Sequence, residues 1–153
     1  MKGVYIDSTA RVESRNIGPG TRIWAFCNIM HGVKIGRNCN ICDRCFIEEG
    51  VRIGNNVTIK TGVSIWNGVV ISDNAFIGPG VQFCNDNYPR SKNYVEAIPT
   101  YVHQGASIGA GATILPGIEI GKGAMIGAGS VVTKNVSENS TVVGNPAKEL
   151  QKN

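Results

Sequence analysis

Residues 53–71, Ile-Gly-Asn-Asn-Val-Thr-Ile-Lys-Thr-Gly-Val-Ser-Ile-Trp-Asn-Gly-Val-Val-Ile, return to isoleucine at every sixth position. That period fits neither an amphipathic helix, whose apolar residues recur at three- and four-residue steps, nor an alternating strand, whose period is two. It marks a repeat, and a repeat fixes architecture before any single element does. Followed outward, the step runs unbroken from Ile17 through Ile23, Ile29, Ile35, Ile41 and Ile47, and onward through Ile77 to Phe83. The fourth residue after each anchor is small or β-branched, as in Cys27, Val33, Val57 and Ala75, and the third is usually Gly or Asn, as in Gly32, Asn38, Asn56 and Gly62. Gly and Asn tolerate a left-handed backbone, so each hexad predicts a short strand and a corner. Three hexads close a triangular coil, and stacked coils pair as parallel sheets about 4.8 Å apart. Roughly twenty hexads predict six to seven coils.

The register is imperfect in two places. Val12 and Ile17 are only five residues apart, and the run breaks after Phe83. The segment 84–101, with Pro89, Pro99 and no anchor, is predicted to leave the repeat as a loop, and loops of that length in a tight scaffold are commonly functional. The period resumes at Val102, Ile108, Ile114, Ile120, Ile126 and Val132, with an angular phase that the sequence leaves open. In the closing segment 138–153, Asn145-Pro146-Ala147-Lys148-Glu149-Leu150 offers an N-cap, a proline at the first helical position and helix formers, which predicts a short C-terminal helix. The expectation is one all-β domain spanning 1–153.

The chain has 153 residues, 42% of them hydrophobic, and a net charge of +4 that is scattered rather than run together. These values argue against nucleic acid or a membrane surface as partner and leave anionic small molecules open. No stretch approaches the length of a membrane span, no leader pattern opens the chain, and the 5 cysteines are an odd number, so a cytoplasmic location is expected.

The hexads, written as in Ile53-Gly54-Asn55-Asn56-Val57-Thr58, resemble those of the hexapeptide-repeat acyltransferases. That resemblance implies a left-handed parallel β-helix, a homotrimer and acetyl-CoA as co-substrate. Gly127-Ala128-Gly129-Ser130-Val131-Val132-Thr133-Lys134, followed by Val143-Gly144-Asn145-Pro146-Ala147, is similar to the acetyl-CoA end of the superfamily. Ile23-Trp24-Ala25-Phe26-Cys27-Asn28-Ile29-Met30 and Phe83-Cys84-Asn85-Asp86-Asn87-Tyr88-Pro89-Arg90 resemble the subgroup that N-acetylates the 3-amino group of UDP- or dTDP-linked sugars for surface polysaccharide such as lipopolysaccharide. This chain departs from that subgroup at Ala25 and Asn28, where His is usual, and at His31, where Pro is usual.

Positions three hexads apart stack in columns, and His31, Glu49, Asn67 and Asn85 form one such file, ending where the loop begins. The resemblance implies that Asn85 holds the sugar amine, while His31 competes as a general base. Asn67, Asp86, Tyr88 and Arg90 are the candidates for substrate binding. For the cofactor the candidates are His103, Gly109, Gly127, Ala128, Lys134, Pro146 and Lys148, with Lys122 a further cation for its phosphates. A polar column at a corner can equally be solvated surface, and each lysine alone can be the same.

Cys39, Cys42 and Cys45 spell a metal-like spacing, but the register puts Cys39 and Cys45 on different inner faces, so no metal site is expected. The zinc carbonic anhydrases of this fold use three histidines, and this chain has 2. The reading reached is an acetyl-CoA-dependent sugar N-acetyltransferase. An O-acetyltransferase of the same fold, acting on a hydroxyl, and a non-catalytic scaffold are the alternatives.

Overall fold

The computed structural model describes residues 2–150. The hexads form the expected coil. Most strands contribute two residues: an outward side chain, then the anchor, which points in. The strands β1 (Tyr5–Ile6) to β21 (Thr141–Gly144) fall in turn onto three parallel sheets. Sheet A runs β1-β4-β7-β10-β13-β16-β19-β21, sheet B runs β2-β5-β8-β11-β14-β17-β20, and sheet C runs β3-β6-β9-β12-β15-β18. The anchors Ile23, Ile29, Ile41, Ile47, Ile59, Ile65, Ile77 and Ile108 are fully buried, with Val33, Val51, Val57 and Val63 between them. Burying each isoleucine is worth roughly 1.5–3 kcal/mol, so the interior file is what holds the coil closed.

The corners follow the sequence. Gly32, Gly50 and Gly62 adopt φ of 73°, 84° and 73°, and Asn38, Asn56 and Asn74 adopt 55°, 55° and 60°. The asparagines also link successive coils, Asn38 Nδ2 donating to Asn56 Oδ1 at 3.4 Å and Asn56 Nδ2 to Asn74 Oδ1 at 3.2 Å.

The early slip has a structural explanation. Ahead of it the partners are one residue closer in sequence, Tyr5 against Arg22, and after it Asn16 sits against Lys34. Ser14 fills the shortened corner: its buried hydroxyl donates to the Val33 carbonyl at 2.6 Å and accepts the Asn16 N–H at 3.0 Å.

The phase across the loop is now fixed. Phe76 pairs with Ser107 and Val70 with Tyr101, so the fifth turn carries the insertion and Val102 lands on Ile71. The loop leaves after β14 (Gln82–Phe83) and the ladder resumes at β15 (Thr100–Val102), two residues earlier than predicted. Its return segment packs down at the next corner, where the Ile98 side chain would lie 3.0 Å from a Cβ on Gly117 and that of Ala97 3.3 Å from a Cβ on Gly68.

The predicted C-terminal helix does not form. Gly144, at φ 98°, and the Asn145-Pro146 turn send the chain back as β22 (Ala147–Glu149), antiparallel to β21, with Val143 opposite Lys148. Six residues are too few to nucleate a helix in isolation, whereas the last edge of sheet A offers ready hydrogen-bond partners. No helix among the described residues is long and apolar enough to cross a membrane.

Candidate functional site

The polar file expected at the turn from sheet B to sheet C is present. His31 Nε2 stands 3.0 Å from Glu49 Oε1, its Nδ1 3.9 Å from Glu13 Oε2, and Glu13 pairs with Arg11 at 2.6 Å. One coil on, Glu48 Oε2 accepts the Asn67 N–H at 2.8 Å and so closes that corner. Beside the file, Trp66 packs on Phe46 with ring centroids 5.2 Å apart.

Asn85 is exposed at the foot of the loop, just after Cys84 makes the last ladder bond to Ile114 at 2.8 Å. Among the described residues its amide makes no hydrogen bond, so both donor and acceptor are open to a ligand. Asp86 is half-buried and its Oδ1 accepts the Tyr88 N–H at 2.7 Å, a turn that fixes the loop's base. Arg90 donates to the Pro89 carbonyl at 2.9 Å, and Tyr88 is 81% exposed, so both reach outward. Asn85, Asp86, Tyr88 and Arg90 are thus brought together. His31 is not: it lies three coil steps below Asn85, roughly 14 Å along the stack, and cannot share one reacting amine with it.

The candidate cofactor residues divide among three places. Gly109, Gly127 and Ala128 line an apolar groove of about 500 Å³ on sheet A with Phe76, Met125 and Val143. Two of these glycines are also demanded by packing: a Cβ on Gly109 would lie 2.5 Å from the Ala128 nitrogen, and one on Gly127 2.6 Å from the Val143 side chain. Lys134, Pro146 and Lys148 line a cleft of about 320 Å³ under the terminal hairpin. His103 stands apart at sheet C, stacked 6.3 Å from Tyr101 and 3.6 Å from Glu119, in a depression with Asp73, Lys122 and Glu138. An extended thiol arm fits the apolar groove, whose walls offer almost no competing charge, and phosphates fit the lysine cleft.

The cysteines are structural. Cys39 and Cys45 are buried, their thiols donating to the Gly54 carbonyl at 3.1 Å and the Lys60 carbonyl at 3.2 Å on different sides of the interior. The hydrogen bond to Cys27 and burial push the Cys45 thiol well up, and burial alone raises Cys39, Cys42 and Cys84. No group of three metal-ligating side chains occurs among the described residues.

A further set of residues carried no assigned role in the sequence reading. Arg22, Trp24, Asn40 and Asp43 meet across sheet A in the second and third coils. The same column rule that aligned His31 with Asn85 aligns Arg22 with Asn40, so the signal was present.

Sheets wound from hexads, a polar corner file and a loop at its end define a transferase of the β-helix class. The sequence matches the bacterial transferase hexapeptide (six repeats) family over residues 16–49 and 99–134. It is 54% identical over 145 residues to dTDP-3-amino-3,6-dideoxy-alpha-D-galactopyranose 3-N-acetyltransferase of Aneurinibacillus thermoaerophilus, covering 94% of this chain and 76% of that protein. The fold matches a variant of GDP-perosamine N-acetyltransferase from Caulobacter crescentus, in complex with CoA and GDP-perosamine, at a TM-score of 0.60 and 21% identity, over 99% of this chain and 55% of that one. It also matches a hexapeptide-repeat acetyltransferase of Vibrio cholerae complexed with acetyl-coenzyme A, at a TM-score of 0.61 and 25% identity, over 86% of this chain and 70% of that one. The coil is the left-handed parallel β-helix. The chain belongs to the hexapeptide-repeat acyltransferases, in the group that contains the nucleotide-linked 3-amino-sugar N-acetyltransferases.

Proposed function

We propose that this protein transfers the acetyl group of acetyl-CoA to the 3-amino group of a nucleotide-linked amino sugar, in the cytoplasm and as a step towards surface polysaccharide. The observation that carries the reading is the 54% identity to a dTDP-3-amino-sugar N-acetyltransferase, sustained through the loop that begins at Asn85. The amine attacks the thioester carbonyl, the C–N bond forms as the C–S bond breaks, and the amine's proton leaves with the thiolate. Asn85 is suited to orient that amine: its side-chain oxygen accepts an N–H and turns the nitrogen lone pair outward. An amine next to electron-withdrawing oxygens is partly neutral at mildly alkaline pH, so no strong protein base is required.

The thiol arm would run along the groove at Gly109, Gly127 and Ala128, with Lys134 and Lys148 near its phosphates. A homotrimer is supported by the distribution of charge. The outward column of sheet B from the second coil on is Asn28, Phe46, Ser64, Gln82, Thr113 and Val131, without a charge, whereas sheet C presents Lys34, Arg52 and Glu119. Sheet A of one copy against sheet B of the next gives a closed ring that leaves sheet C in water.

Thiol release from acetyl-CoA in the presence of dTDP- and UDP-linked 3-amino sugars tests the reading. Turnover with at least one is expected, and none with any of them overturns it. The O-acetyl reading has one observation in its favour, the contact of His31 with Glu49 at 3.0 Å, which holds an imidazole as a hydroxyl's general base requires. Loss of activity in His31→Ala together with turnover of a hydroxyl acceptor would select it.

A further inference from the structure

A concavity of about 670 Å³ crosses sheet A in the second to fourth coils, apart from both the Asn85 corner and the apolar groove. Its walls include Arg22, Trp24, Asn38, Asn40, Asp43 and Thr61. The indole is locked in place: Trp24 Nε1 donates to Asn40 Oδ1 at 2.8 Å, and the ring packs on Tyr5 at 5.3 Å. That bond occupies the Asn40 oxygen, while its Nδ2 reaches only the Cys42 sulfur at 3.4 Å, a weak acceptor. A donor is therefore held beside an aromatic face with little to satisfy it. Asp43 Oδ1 accepts the Ala25 N–H at 3.2 Å, and its second oxygen has no hydrogen-bond partner among the described residues.

The corner next to this groove is unusual. Phe26 and Arg44 both adopt φ of 58°, where the matching corners of four later coils use Gly62, Gly80, Gly111 and Gly129. Bulky side chains rarely take that conformation, and where they do the strain is commonly tied to a site. Phe26 is 58% exposed, and the Arg44 guanidinium lies 5.7 Å over its ring, next in sequence to Asp43. A second cation and a second aromatic thus stand at the rim of the groove, and glycine returns once the groove ends.

We propose that this groove binds the nucleoside diphosphate part of the nucleotide-linked sugar. The pyrimidine base lies on Trp24 with its polar edge towards Asn40 and Asp43, and the diphosphate meets Arg22 and Arg44. The choice of a sugar nucleotide rests on the acetyltransferase reading above. Since the groove faces out from sheet A while Asn85 stands at the corner of sheets B and C, the amine of a sugar held here meets the Asn85 of a neighbouring copy.

Calorimetric titration of the full chain with dTDP and with UDP, in the absence of acetyl-CoA, tests this. One of the two binds, and Arg22→Gln and Arg44→Gln each weaken it roughly 10-fold or more, while Arg52→Gln on sheet C leaves it unchanged. Nucleotide quenching of tryptophan fluorescence disappears in Trp24→Phe and persists in Trp66→Phe. Wild-type affinity in Arg22→Gln, binding of neither nucleotide at millimolar concentration, or pyrophosphate bound as tightly as the nucleotide overturns the proposal. Arg22-dependent nucleotide binding without acetylation of any amino sugar would overturn the acetyltransferase reading alone. Acetylation with an unchanged KM in Arg22→Gln would overturn only the groove.

Discussion

At the residue scale, Asn85 and His31 divide the chemistry between them. Asn85→Ala should lower kcat/KM for the amino-sugar acceptor on the order of 10²-fold, with a thermal midpoint unchanged because the side chain is exposed and makes no internal hydrogen bond. His31→Ala should leave the same parameter within a few-fold, and a fall of 10² to 10⁴ would instead mark it as a base. The cysteines make a separate prediction. Burial raises the thiols of Cys39, Cys42 and Cys84, and a raised thiol holds less thiolate at any given pH. Labelling of the native protein by a disulfide reagent at pH 8 should therefore be slow, and all 5 thiols should react promptly once the chain is unfolded. Rapid labelling of Cys42 in the native protein would contradict this.

At the scale of the strand and its corner, the glycines do two different jobs. A Cβ on Gly36 would lie 2.5 Å from the Gly54 carbonyl oxygen of the next coil, whereas one on Gly62 meets nothing within 4 Å but sits at φ 73°. Gly36→Ala forces coils apart and should cost about 1–3 kcal/mol, while Gly62→Ala should cost about 1 kcal/mol through backbone conformation alone. Ile59→Ala, in the buried file, should cost roughly 2–5 kcal/mol. Urea unfolding of the three variants gives the order, and Gly62→Ala as the worst would refute it. The hexad rule made the strands, corners and buried anchors legible because each depends only on local neighbours. The terminal hairpin escaped it: Asn145 to Leu150 have the local pattern of a helix start, but sheet A had an unpaired edge within reach, and that edge is a tertiary fact.

At the scale of the molecule, the prediction concerns assembly. Sedimentation should give a mass three times that of one chain, and Ser64→Glu, which sets a charge in the neutral column of sheet B, should shift it towards the monomer with the coil intact by circular dichroism. A monomeric wild type would remove both the shared site and the ring. The loop belongs to this scale as well. Its existence was legible from the broken period, and its base at Asn85 from the resemblance. Its landing was not, since nothing local tells Ile98 to settle at Gly117, or Val102 to stack on Ile71.

The isoleucine file by itself determined the triangular coil, the parallel sheets, the buried cysteines and the column from His31 to Asn85, because a six-residue period with left-handed corners has one way to bury its anchors. Tertiary structure decided the rest. The distance between His31 and Asn85, the phase beyond the loop, the hairpin in place of a helix, and the meeting of Arg22, Trp24 and Asn40 in one groove all depend on contacts between coils. Such contacts are set by stacking and edge pairing rather than by the preference of any single residue.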